Sequence, residues 1–138
     1  MLSISSEFRF AAAHHLSLPQ LSPEENKRVF GSCLKLHGHN YVLRVTLCGT
    51  PNQYGWLLDF SELKAIVQRY VLDDYDHADL NALPDYQNIP TTAENMAAAI
   101  YRRLKLPCQR ENCRLLRVSV FESADSWVSW EEDHVTSV

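Results

Sequence analysis

From Tyr41 to Cys48 the chain alternates, with Tyr41, Leu43, Val45 and Leu47 at every second position. Period two is the signature of a strand with one buried face. The same parity runs back through Gly38 to His39 and His37, so both imidazoles fall on the core side. A polar group on a buried face is costly unless something pairs with it. Two imidazoles one residue apart on one face are within reach of a single metal ion, and Gly38 leaves space beside them.

A second alternating run, Phe8 to Leu16, places Phe8, Phe10, Ala12 and His14 on one face and Arg9, Ala11, Ala13 and His15 on the other. His14 rather than His15 therefore joins the apolar side. Three neutral imidazoles, His14, His37 and His39, suit Zn²⁺ and leave a fourth position for water or substrate. Cys33, four residues ahead of His37, is either a fourth ligand or a nearby base. A cation beside it lowers the thiol's pKa in both cases, and the residues alone leave the two roles open.

The rest of the chain supplies the frame. Its 138 residues correspond to one domain, 1–138. A net charge of −4 with no basic run argues against a nucleic-acid surface. No stretch approaches the roughly 20 apolar residues of a membrane span. The N-terminus lacks a signal-peptide pattern, so the expected setting is the cytoplasm, with the four cysteines reduced. Cys48 reads as a core residue; Cys108 and Cys113 fall in a polar loop without the further ligands a metal knuckle needs. The loop over 17–32 is long, with a short helix possible after Ser22. Lys27, Arg28 and Lys35 are solvated there or meet a phosphate.

The stripe Leu63, Ile66, Val67, Tyr70 and Val71 predicts a helix over 61–72, entered by a capping box of Asp59 and Glu62. A second helix is expected over 93–104, capped by Thr91 or Thr92, with Glu94 completing a box from Thr91. Between them Asp76 and His77 form a potential acid/base unit in an acidic loop. A hairpin of 115–122 and 127–130 closes the chain. Glu122 ends its apolar face and so requires a partner. His134 lies in a polar tail and is expected to be solvated.

Phe10-x-Ala12-Ala13-His14 together with Cys33-x-x-x-His37-Gly38-His39 resembles the signature of the 6-pyruvoyl-tetrahydropterin and 6-carboxytetrahydropterin synthases. Gly55-Trp56-Leu57-Leu58-Asp59-Phe60, Asp76-His77 with Leu80-Asn81, Thr92-Ala93-Glu94 and a late Glu122 extend the likeness along nearly the whole chain. The resemblance implies an α+β T-fold: a four-stranded antiparallel sheet with two helices on one face (ββααββ). Subunits would close into barrels and stack as a homohexamer, a dimer of trimers with sites between subunits. It implies Zn²⁺ on His14, His37 and His39, Cys33 as base, and Asp76 with His77 as proton relay. Glu122 would anchor a pterin triphosphate, with Glu94 and Thr92 lining the same pocket. Three residues between Cys33 and His37 resemble the 6-carboxytetrahydropterin synthases of queuosine biosynthesis, whereas five mark the pyruvoyl branch. His15 stands where an Arg is common, and the long loop and Asn40-Tyr41 lean toward the pyruvoyl pattern.

Overall fold

The computed structural model describes residues 1–132; His134 lies outside the described residues. Strand β1 (Leu2–His14) pairs antiparallel with β2 (His37–Gly49) along its whole length, setting His14 opposite His37 and Ala12 opposite His39. Between them lie helix α1 (Pro23–Phe30) and a 3-10 turn, Gly31–Leu34, that carries Cys33. Helix α2 (Phe60–Val67) runs through a π turn (Gln68–Leu72) into α3 (Asp73–Tyr75), and a two-residue strand β3 (Ala78–Asp79) follows. Helix α4 (Ala93–Lys105) precedes the hairpin of β4 (Cys113–Ser123) and β5 (Ser126–Glu131).

The sheet order is β3-β1-β2-β4-β5. The expected four antiparallel strands form its body. The expectation of a four-stranded sheet is corrected by β3, a fifth strand that lies parallel to β1 through Ala12 and Ala13. Two residues are too few to show a period, which is why β3 leaves no mark in the sequence.

One sheet face carries Phe10, Ala12, Tyr41, Leu43, Val45, Leu47, Val118 and Val120 into a core shared with Leu63, Val67, Met96, Ile100 and Leu104 of the helices. The opposite face is built from polar cross-strand pairs: Ser5 with Thr46 (2.8 Å), Glu7 with Arg44 (3.2 Å) and Ser119 with Ser129 (2.6 Å). Asp59 caps α2 by accepting the Ser61 N–H at 2.9 Å, but Glu62 pairs with Arg110 instead of completing a box. Thr92 caps α4 through the Asn95 N–H at 3.2 Å. Glu94 is thereby one position short of closing a box and is free of that role.

The burial pattern differs from expectation in two places. Tyr70 is exposed, whereas Leu72 and Tyr75 are buried. The π turn adds a residue and rotates the buried stripe, which a 3.6-residue period does not anticipate. Cys108 and Cys113 are buried against the core rather than held in a polar loop. No described helix is long and apolar enough to cross a membrane.

Candidate metal and pterin site

His14 closes the buried face of β1 and is 1% exposed, as the parity of Phe10 and Ala12 requires. Its Nδ1 lies 2.8 Å from the carbonyl oxygen of Thr91, just ahead of α4. A carbonyl only accepts, so Nδ1 carries the proton and Nε2 keeps its lone pair. His37 is set the same way, with Nδ1 2.7 Å from the Lys35 carbonyl oxygen. His39 Nε2 is buried without a hydrogen-bond partner. Ligating nitrogens of the three imidazoles lie within 4.8 Å of one another. Burial, and then the neighbouring His37 and His39, hold the His14 pKa below its ordinary value, against the opposing pull of the Thr91 hydrogen bond and the Glu122 charge. The shift favours the neutral imidazole, the form that binds metal.

This donor set fits a zinc ion: three imidazoles, two with Nδ1 fixed on carbonyls, and an orphaned nitrogen on the third. Cys33 is not among the side chains that meet at this point. Its backbone oxygen accepts the Leu16 N–H at 2.8 Å, so the 3-10 turn is tied to the chain just beyond His14.

Glu122 Oε1 stands 3.5 Å from His39 Nε2. A β-bulge beside it, between Phe121 and Ser123, breaks the pairing of β4 with β5. Glu122 and Glu94 line one cavity of about 290 Å³ with Trp127 and Val128. Thr92 contributes its cap rather than a cavity wall.

Asp76 and His77 sit at the edge of β1. Asp76 Oδ1 accepts the Ala11 N–H at 3.0 Å and lies 3.0 Å from His77 Nδ1, while the His77 N–H donates to the Ala11 carbonyl at 2.6 Å. His77 adopts a left-handed φ of 62° and its side chain is 84% exposed. Beside it a cavity of about 360 Å³ is lined by Ala11, Ala12, Ala13, Gly38, Asn40 and Ala78, and also by His39 of the triad. The chain thus gathers His14, His37, His39, Glu122 and Glu94 around one point, and holds Asp76–His77 at the β1 edge, where His77 shares a cavity with His39. Thr91 and Asn81 are the residues that motif reading undervalued. Asn81 brackets the His15 peptide, accepting its N–H at 2.9 Å and donating to its carbonyl at 3.0 Å.

A family model described as 6-pyruvoyl tetrahydropterin synthase matches residues 3–133. The chain belongs to that family. The 6-pyruvoyl tetrahydrobiopterin synthase of Dictyostelium discoideum is 36% identical over 121 residues, covering 86% of this chain and 87% of the relative. The 6-carboxy-5,6,7,8-tetrahydropterin synthase of Haemophilus influenzae is 30% identical over 154 residues, covering 96% of this chain and all of the relative. The structure of the Caenorhabditis elegans 6-pyruvoyl tetrahydropterin synthase superposes with a TM-score of 0.86 at 30% identity, covering 96% of each chain. The pterin synthase family is one of lyases acting on a pterin triphosphate, and the T-fold is its architecture.

Proposed function

We propose that this protein is a zinc-dependent lyase converting 7,8-dihydroneopterin 3'-triphosphate and water into 6-carboxy-5,6,7,8-tetrahydropterin, acetaldehyde and triphosphate. The observation that carries the reading is the convergence of His14, His37 and His39 within 4.8 Å, with Glu122 beside them. Zinc held by the triad supplies Lewis-acid polarisation of the substrate's side-chain oxygens. Glu122 accepts hydrogen bonds from the guanidine-like edge of the pterin, two oxygens serving two N–H groups. Glu94 lines the same cavity and Thr92 fixes the helix end behind it. Two carboxylates there repel a triphosphate, so the pterin enters ring first. Lys27, Arg28 and Lys35 are the exposed cations near Cys33 that receive the charged end.

Cys33 accepts the proton from the side-chain carbon next to the ring, and His77 returns one. Asp76, paired with His77 Nδ1, directs the other ring nitrogen outward. Active sites formed between subunits, as the family resemblance implies, let Asp76–His77 of one chain serve the triad of its neighbour. Two open sheet edges support such an assembly, since among the described residues β5 and most of β1 lack an outer partner. Head-to-tail pairing of those edges closes a ring, here three single-domain subunits forming a barrel and two barrels stacking into a hexamer. The cytoplasm is the proposed setting, and queuosine or another 7-deazapurine the proposed pathway.

The three-residue spacing from Cys33 to His37 favours the carboxy product. The higher identity to a protein named 6-pyruvoyl tetrahydrobiopterin synthase favours the second reading, triphosphate elimination without cleavage of the carbon chain. Incubation of the zinc-loaded protein with the substrate decides between them. Acetaldehyde appearing with carboxypterin is the expected result, and triphosphate release without acetaldehyde would establish the second reading.

A further inference from the structure

Helix α1 is anchored in an unusual way. Its one buried residue is a polar one, Asn26, 9% exposed, whereas Val29 is 55% exposed. The Asn26 amide brackets Leu18: Oδ1 accepts the Leu18 N–H at 2.9 Å, and Nδ2 donates to the Leu18 carbonyl at 3.1 Å and to the Leu21 carbonyl at 3.3 Å. An amide side chain offers the same donor and acceptor as a peptide, so it substitutes for a missing strand neighbour. Asn81 treats His15 identically. Between the two clamps, Leu16 N–H donates to the Cys33 carbonyl. The segment directly after His14 is thus held by one amide on each side of the bond that fixes Cys33.

We propose that Asn26 is a positioning residue for Cys33, acting through the clamped segment His15–Leu18 and through α1, which ends three residues before the thiol. This rests on the reading of Cys33 as the proton acceptor. Loss of the amide leaves the Leu18 N–H unpaired and α1 without a buried anchor, so the 3-10 turn carrying Cys33 loses its fixed distance from the substrate. The triad is held chiefly by the β1–β2 ladder and Thr91, with the Lys35 carbonyl at the end of the 3-10 turn orienting His37 alone.

The test uses Asn26→Ala and the milder Asn26→Ser in the zinc-loaded protein, each alone and combined with Cys33→Ala. Displacement by about 1 Å lowers turnover on the order of 100-fold, so kcat falls about 10- to 100-fold while KM and bound zinc stay near the parent values. In the Cys33→Ala background either Asn26 substitution changes residual turnover little, because the group it positions is gone. An independent readout is alkylation by iodoacetamide in the metal-free protein, where Cys33 is the one cysteine not fully buried. Release of the segment raises its alkylation rate several-fold. Unchanged kcat in both variants, or an equal loss in the Cys33→Ala background, overturns the proposal. Should Cys33→Ala itself retain full turnover, the base assignment fails, and the alkylation rate alone decides whether Asn26 positions the thiol.

Discussion

Glu122 Oε1 and His39 Nε2 lie 3.5 Å apart, bringing a carboxylate from β4 against the imidazole cluster of β1 and β2. The contact joins the two halves of the proposed site, ring anchor and metal centre. Glu122→Gln keeps the shape and removes the charge. A hydrogen bond to a charged group contributes about 1.5–3 kcal/mol, so pterin affinity falls about 10- to 100-fold while zinc content stays at the parent level. Equilibrium titration with a non-reactive pterin measures it. Undiminished affinity would remove Glu122 from the anchor role.

Cys33 separates the catalytic reading from a zinc-stabilised pterin-binding module. In the catalytic reading Cys33→Ala keeps stoichiometric zinc and a cooperative melt but loses about 100-fold or more in turnover. In the module reading Cys33 is a fourth ligand, and the same change releases zinc and lowers the melting temperature. Metal analysis and a thermal melt on one sample discriminate. The three-histidine group, which excludes Cys33, accords with the first outcome.

Arg103 of α4 grips the segment that leads to Asp76 and His77. Its Nε and Nη2 donate to the two oxygens of Asp85 at 2.8 and 2.5 Å, and its guanidinium lies 5.1 Å from the centre of the Tyr75 ring. Hydrogen bonding from Arg103 holds the Asp85 carboxyl below its usual pKa, partly opposed by burial. A depressed folded-state pKa contributes stability above the unfolded value of about 3.9 and loses it as pH falls through the folded one. Asp85→Asn should therefore cost about 2 kcal/mol at pH 7. Denaturant melts across pH should show that difference shrinking below about pH 4. A difference independent of pH would mean that the pair contributes through shape alone.

Much of this architecture is legible residue by residue. Period two located the buried faces of β1 and β2, and with them His14 over His15, because a strand's faces are set by local sequence. Asp59 and Thr92 announce their helices because caps act within one turn. What stayed hidden depends on distant pairing or on a broken period. The proximity of Glu122 to His39 exists only once β4 lies beside β2. The placement of Asp76–His77 at the β1 edge follows from the short parallel contact of β3 with β1. Tyr70 turns outward because a π turn interrupts the helical repeat. Cys108 looks loop-like beside Pro107 and Gln109, yet it is buried where the end of α4 meets the core. Asn26 and Asn81 act on backbone groups, which carry no sequence signature at all.

The central claim is that the His14, His37 and His39 triad holds a zinc ion on which pterin-triphosphate turnover depends. Its most direct test is turnover of 7,8-dihydroneopterin triphosphate measured against zinc occupancy in chelator-stripped, stepwise reloaded protein, with His37→Ala alongside. The account predicts turnover rising in proportion to bound zinc up to one ion per chain, and neither binding nor turnover in the variant. Full turnover in the stripped protein, or full zinc occupancy with no turnover, would contradict it.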